Sequence, residues 1–344
     1  MKKRFVTTIV FLILLIGFYH LPDLYYKEPD IEAAKKIIKT KLYEKYDEEF
    51  VIEEISRDYD EIEADVYKKS IDGTVKEDDS YYSGSASIDV LSFGRLGNVL
   101  KTNYNKISRN VSTETYLLPF VRKYFGKRVM IKVEANHEIT GDGSWWANKY
   151  SSKTFSEIRQ AIKKDSEKNR IMLKLYVHIF DRLDNETEKE KRRSQIFNFV
   201  QFLKKEGLFD YLELGVFFID ERVLAPSYDL RDIKYSDKVD IVVEGEEVEL
   251  PTMKLRKKLS EKLQKEIDKM NEEELLANMK DIKKYYLSYD GMREYNCHYA
   301  SWIYSIGMLE EEYRSSITDE DRERTYDKIE DVELHNYIKY IYLN

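Results

Sequence analysis

Residues 171–180 read IMLKLYVHIF, with apolar side chains at every second position. A period of two over this length predicts a β-strand with one face toward a core. Ser194–Lys205 then carries apolar residues at helical spacing, and Gly207 follows where a left-handed residue commonly ends a helix. Tyr211–Ile219 predicts a second strand. Strand, helix and strand in this order predict a crossover unit that joins two strands of one sheet.

A sheet of a different kind is predicted upstream. Ile31–Phe50 has apolar residues three and four apart, which is typical of a helix. From Phe50 to Leu91 the period changes to two, and the Asp72-Gly73 pair is typical of a hairpin turn. This segment predicts an antiparallel meander with one face in water.

A helix and a fourth strand complete this first unit in the sequence. Asn98–Phe125 returns to helical spacing, and Pro119 is expected to break or kink that helix. Val129–Ala135 alternates again and predicts the fourth strand. The loop that begins at Gly141 ends the unit.

The last third of the chain is predicted to be mainly helical. Val239–Leu250 suggests a small hairpin around Gly245, and beyond it Leu255–Ile282 carries an apolar stripe. Asn296–Tyr313 and Asp327–Tyr342 are predicted as further helices. The fold class is therefore α+β, with an N-terminal transmembrane helix, antiparallel-sheet and helix units, and a helical C-terminal portion. The predicted divisions are residues 1–26 (membrane anchor and flank), 27–140 (first α+β unit), 141–250 (second α+β unit) and 251–344 (helical region).

The N-terminus has the composition of a membrane anchor. Lys2, Lys3 and Arg4 precede Phe5–Leu21, a run without Asp, Glu, Lys or Arg that is at the short end of what spans a bilayer. A cleaved signal peptide and a buried helix are the alternatives. Bulky aromatics stand where a cleavage site needs small residues, which favours an uncleaved anchor.

Charge predicts the orientation and excludes one class of partner. The basic flank is expected to stay in the cytoplasm, which makes this a single-pass protein of the cell membrane with an extracytoplasmic C-terminal domain. The lipid bilayer is thus the first predicted partner. The chain carries a net charge of −8, which argues against binding nucleic acid, because that binding depends on neutralising phosphates.

No catalytic, cofactor-binding or metal-ligating residues are predicted. The five histidines form no close pair with zinc-ligand spacing, and no glycine-rich phosphate loop follows the strand that ends at Phe180. Cys297-His298 places a thiol next to an imidazole, but neighbours on a helix point about 100° apart. We therefore interpret Cys297 as a core residue.

Two features are candidates for contacts with a partner. Trp145 and Trp146 stand together beside Gly143, where rigid rings could anchor a protein or a sugar; the alternative is that they seal the junction between the units. Glu310–Glu333 is strongly acidic and predicts either a solvated helical face or a surface for a basic partner.

These observations favour a non-enzymatic binding or accessory module for another protein or an envelope component. One alternative is an envelope hydrolase whose site comes from scattered carboxylates and tyrosines. The other is a structural spacer. A cleft of converging ionisable groups would favour the enzyme, and an aromatic patch would favour binding.

Overall fold

The computed structural model describes residues 28–58, 60–139, 153–228, 239–243, 246–250, 253–284, 287 and 297–336. Within these residues the protein is α+β, with two main sheets, a separate hairpin and eight α-helices. The described residues up to Tyr104 form one compact unit, and those from Asn105 onward form a second.

The first unit is an antiparallel meander, as its period of two predicts. Its strands follow one another in the order of the sequence. They are β1 (Phe50–Asp58), β2 (Glu61–Lys68), β3 (Gly84–Leu91) and β4 (Arg95–Thr102).

Helix α1 (Ile31–Tyr46) packs against this sheet through Ala34, Ile38 and Leu42, which repeat every fourth residue and are fully buried. The Asp30 side chain accepts a hydrogen bond from the amide of Ala33 at the helix start, 3.0 Å away. Such a cap satisfies a donor that the first turn leaves unpaired.

Strand β4 corrects the prediction that a helix covers Asn98–Phe125. Residues 98–102 belong to β4, which pairs with β3, and helix α2 (Tyr104–Phe125) starts only after them. The helix then continues through Pro119 without interruption. Pro119 is exposed, so water can bond the carbonyl that its ring leaves free.

The second unit is built on a five-stranded mixed sheet. Its strand order is β11-β10-β7-β6-β5; β6 and β7 run parallel, and the other neighbours run antiparallel. The elements are β5 (Val129–Ile139), α3 (Phe155–Lys164), β6 (Asn169–Phe180), α4 (Glu186–Lys205), β7 (Leu212–Ile219), the hairpin of β8 (Val239–Val243) and β9 (Glu246–Leu250), α5 (Met253–Ile267), α6 (Glu272–Lys280), β10 (Cys297–Tyr304), α7 (Ile306–Glu312), α8 (Asp319–Glu323) and β11 (His335–Asn336).

The predicted crossover from β6 through α4 to β7 is confirmed. Gly207 ends α4 with φ +67°, and its amide donates to the carbonyl of Lys204. The Leu208 amide reaches back to the carbonyl of Leu203, which completes a left-handed helix end. The predicted hairpin of β8 and β9 is also present.

Both faces of this sheet are covered. One face packs against α2, α3 and α4 through a core that includes Leu117, Ile158 and Phe199. The other packs against α5 and α6 through Leu263 and Leu275. Because β5 is an edge strand, its amides need partners, and the Asn110 side chain of α2 accepts from the amide of Ala135.

The strand predicted at Val129–Ala135 is present as β5, and it pairs with β6 in the second sheet. One further prediction is wrong. The helix predicted over Asn296–Tyr313 is strand β10 followed by the short α7, so the C-terminal portion completes the sheet. The described part of Asp327–Tyr342 holds a 3-10 turn and β11.

The predicted anchor, residues 5–21, lies outside the described residues. Among the helices that the structure describes, none combines the length and the apolarity needed to cross a bilayer.

Candidate functional site

Four half-buried aromatic side chains lie together on the second sheet and beside it. Tyr176 comes from β6, Trp302 and Tyr304 from β10, and Tyr313 follows α7. We call these four residues the aromatic face. They come together because alternate residues of a strand share one side of a sheet.

The rings of the aromatic face contact one another in sequence across the strands. Trp302 lies edge-on to Tyr176 at 6.1 Å between ring centroids and parallel to Tyr304 at 6.3 Å. Tyr304 in turn meets Tyr313 edge-on at 5.5 Å. Such contacts fix the orientation of each ring.

The buried carboxylate of Glu213 accepts hydrogen bonds from the hydroxyl groups of two of these rings. The Tyr176 hydroxyl donates to Glu213 at 3.0 Å, and the Tyr313 hydroxyl donates to its other oxygen at 2.7 Å. Lys174 lies 3.6 Å from the same carboxylate and donates to Glu312 at 2.5 Å. The Glu213 side chain is only 4% exposed, yet each of its oxygens has a partner.

The protonation states follow from this network. Burial raises the pKa of Tyr176, and the charge of Glu213 raises it further. Burial and the hydrogen bond to Glu213 raise the pKa of Tyr313 to about 12. Burial would lower the pKa of Lys174, but the bond to Glu312 and the charge of Glu213 outweigh it and raise that pKa. At neutral pH both tyrosines are therefore hydrogen-bond donors and the lysine is charged.

Gly215 on β7 lets two aromatic rings pack closely against the backbone. A Cβ atom added at Gly215 would lie 2.7 Å from the ring of Phe217 and 3.1 Å from that of Trp302. Real Cβ atoms essentially never approach another atom as closely as 2.7 Å, so any larger residue here would have to displace the ring of Phe217.

Part of the acidic C-terminal stretch is used inside the chain. Glu311 on α7 lies 3.1 Å from Arg170, and Glu312 pairs with Lys174. These contacts tie α7 to β6 beside the aromatic face. They account for two of the carboxylates that the sequence offers to either solvent or a basic partner.

A second polar cluster lies at the carboxyl end of β7. Asp220 is fully buried and accepts hydrogen bonds from the amide and the guanidinium of Arg222 and, at 3.0 Å, from Nε2 of His298. Arg222 also donates to the Ser260 hydroxyl. Burial alone would raise the pKa of Asp220, but these bonds outweigh it and hold that pKa low.

His298 reaches Asp220 through an irregularity in β10. Cys297 pairs with Ile219 and Tyr299 pairs with Phe218, which leaves His298 as an extra residue. Such a bulge redirects a side chain and commonly occurs beside functional sites.

The neighbouring Cys297 has no part in this cluster's chemistry. Its thiol is buried, donates to the carbonyl of Tyr299 and has a pKa raised by burial. A buried thiol of this kind is inert. The interpretation of Cys297 as a core residue is therefore supported, although it lies on a strand and not on a helix.

The other sequence candidates fall elsewhere. Trp145 and Trp146 lie outside the described residues. His137 and His178 are both buried in the second unit, and burial lowers the pKa of His178 to about 3. Within the described residues, no cluster of three or more His, Cys, Asp or Glu side chains could hold a metal ion.

Comparison with known proteins adds little. No protein-family model matches the chain, and no curated protein matches it. A crystal structure of a DUF5037 family protein from Ruminococcus gnavus ATCC 29149 is similar over 54% of this chain and 74% of that chain, with 14% identity and a TM-score of 0.33. A likeness at this level carries no argument about fold or function.

Proposed function

We propose that this protein is a non-enzymatic binding module that docks another protein or an envelope component on the aromatic face. We also propose that residues 5–21 anchor it in the cell membrane and that the remaining chain lies outside the cytoplasm. The observation that carries the binding role is the half-buried set of Tyr176, Trp302, Tyr304 and Tyr313, whose rings contact one another and two of whose hydroxyls donate to Glu213.

Preorganisation supports a binding role. Large rings that are already fixed lose little conformational freedom when a partner docks, and Trp and Tyr dominate the energetics of known interfaces. The hydroxyls of Tyr176 and Tyr313 already have an internal acceptor, so an apolar partner surface can cover them without leaving them unpaired.

The electrostatics of the same residues weigh against catalysis there. A general acid or base works best with a pKa near the operating pH. The pKa values of Tyr176, Tyr313 and Lys174 are all raised, away from neutrality. These groups are therefore suited to hold shape and charge, and poorly suited to exchange protons.

Site-directed photocrosslinking in intact cells tests this proposal. A photoreactive phenylalanine analogue at Tyr304 should give a discrete crosslinked species with a partner. The same analogue at Tyr43, which is 52% exposed on α1, is the matched control and should not. Adding Tyr313→Ala should weaken the adduct from position 304, because Tyr313 packs against Tyr304. Equal crosslinking from positions 304 and 43, or none from either, would contradict the proposal.

The second cluster favours a hydrolase as the other candidate function. A buried carboxylate that orients an imidazole is the arrangement that general-base catalysis uses, and Asp220 bonds His298 in this way. Against it, Asp220 is also fully engaged with Arg222, and Ser260 is occupied by the same arginine.

A fluorophosphonate probe, which reacts with activated serine hydroxyls, distinguishes the two candidates. A hydrolase of this type would be labelled, and His298→Ala would abolish the labelling. Absence of labelling in the folded full-length chain, together with crosslinking at position 304, would support the binding module.

A further inference from the structure

Arg109 is a buried charge that forms no ion pair with any side chain the structure describes. It lies on α2, is 1% exposed, and none of its three guanidinium nitrogens has a hydrogen-bond partner among the described residues. An arginine cannot relieve this state by losing its proton, because its pKa is too high. A buried, unpaired ion carries a large desolvation penalty that some interaction must offset.

The side chains around Arg109 do not offset it. Thr113, one turn further along α2, donates its hydroxyl to the carbonyl of Arg109 and leaves the guanidinium untouched. The neighbouring Asn110 accepts from the amide of Ala135 in β5. The side chains of Thr113 and Asn110 are thus occupied with the backbone.

A buried histidine on the adjoining strand β5 interacts electrostatically with Arg109. His137 on β5 is fully buried, and its Nε2 lies 3.1 Å from Oδ1 of Asn169 on β6. Burial lowers the pKa of His137, and the positive charges of Lys153 and Arg109 lower it further. The charge of Arg109 therefore acts on His137, together with the charge of Lys153, which precedes α3.

The carboxylates nearby are committed to other cations. Glu138, next to His137 in β5, pairs with Arg170 at 2.7 Å. Glu114, on the following turn of α2, pairs with Lys284. Neither supplies the negative charge that Arg109 lacks.

We propose that Arg109 is the anchor of an oxyanion site and that it binds the carboxylate or phosphate group of a small molecule. A guanidinium takes two oxygens of such a group at once, with two parallel N–H···O bonds. The charge of Lys153 adds to the positive potential in this region. Because Arg109 is only 1% exposed, we expect a small anionic group and not an extended one.

Arg109 lies on α2, which packs on one face of the sheet, whereas Tyr176 and Trp302 pack on the other face. Success or failure of the proposed binding role therefore leaves the oxyanion site unaffected.

Titration of the full-length chain with phosphate and with acetate, at constant ionic strength set with chloride, tests the proposal. We expect the thermal midpoint to rise with one of these anions and to saturate, since a ligand that binds only the folded state stabilises it. Which of the two titrations raises the midpoint shows whether the site prefers a phosphate or a carboxylate group. Calorimetry at 25 °C gives the affinity directly.

Variants at Arg109 and at a control position show whether the anion binds at Arg109. Arg109→Met keeps the length of the side chain but removes the charge, and it should abolish the anion response. Arg109→Lys keeps the charge but loses the paired bonds, and it should weaken binding at least about tenfold, the loss expected for one charge-assisted hydrogen bond. Arg122→Met, at an exposed position on the same helix, is the matched control and should respond like the parent.

Two results would overturn the site. One is a parent protein that responds to phosphate and acetate no more than to chloride. The other is an anion response that survives in Arg109→Met. If Arg109→Met does not fold, the calorimetric comparison of the parent with Arg109→Lys decides the question.

Discussion

Two buried carboxylates, Glu213 and Asp220, lie at either end of β7 and are stabilised differently. Glu213 accepts from two neutral tyrosine hydroxyls and has a lysine at 3.6 Å. Asp220 accepts from a guanidinium and an imidazole. Glu213 thus holds two rings of the aromatic face in place. Asp220 fixes the backbone at Arg222 and the side chain of His298.

Replacing Glu213 with Gln should lower the free energy of unfolding by about 1.5–3 kcal/mol, because hydrogen bonds to a charged group are lost in a buried place. Glu312→Gln is the matched control. The Glu312 side chain is 36% exposed and should contribute less than about 1 kcal/mol. Urea unfolding measures both values. Equal losses in the two variants would show that Glu213 has no special role.

Replacing Asp220 with Asn should destabilise the protein by about 3–5 kcal/mol at pH 7, since it leaves Arg222 without its charge partner. The pKa of Asp220 is lowered in the folded state, so its contribution is complete above the unfolded value of about 3.9. That contribution is lost as the pH falls from there toward the folded pKa. The gap between parent and variant in urea unfolding should therefore narrow below about pH 4. A constant gap from pH 7 to pH 3 would contradict this assignment.

At the scale of the elements, β7 is closely packed at Gly215. Gly215→Ala should cost about 1–3 kcal/mol, because the new methyl group overlaps the rings of Phe217 and Trp302. Phe217→Leu in the same chain should restore part of that loss, with a coupling energy of about 0.5 kcal/mol or more. Urea unfolding of the two single variants and the double variant gives the coupling. Strictly additive losses would mean that the rings move aside at no cost.

The elements also show where sequence patterns succeed and fail. The crossover through β6, α4 and β7 was predictable because long apolar runs with clear periods are rarely ambiguous. β4 was missed, since Gly97 interrupts a weak alternation. β10 was missed because the extra residue His298 breaks the period of two at the strand's start.

The aromatic face was beyond prediction for a related reason. Its members come from β6, β10 and the segment after α7, and three of them fell in a predicted helix. Glu213 stood in a strand that was correctly predicted, but its partners lie far away in the sequence. Arg109, likewise, reads as an ordinary polar residue of an amphipathic helix until its burial is known.

For the whole molecule, the orientation across the membrane remains the prediction with most consequences. A membrane-impermeant maleimide should modify Asp72→Cys in intact cells, because the basic N-terminal flank is expected to stay inside. The parent is its own control, since its Cys297 is buried and should not react. Modification of Asp72→Cys only after lysis would reverse the orientation.

Removing residues 1–21 should release a folded chain into the soluble fraction, because the apolar residues beyond them already recur at helix and strand periods. Circular dichroism and gel filtration measure the outcome. An aggregated product would show that the first segment belongs to the fold.

Strand β10 covers one edge of β7, and this cover is missing while the chain is still being synthesised. All eight residues of β7 are buried, and β10 covers one edge of that strand. On the ribosome, β7 emerges well before β10, with residues 220–296 made in between. Until then an apolar strand offers its free N–H and C=O groups to any other chain. Nascent chains that stop in that interval are the ones that need a chaperone most, and a premature stop there would give an aggregating product.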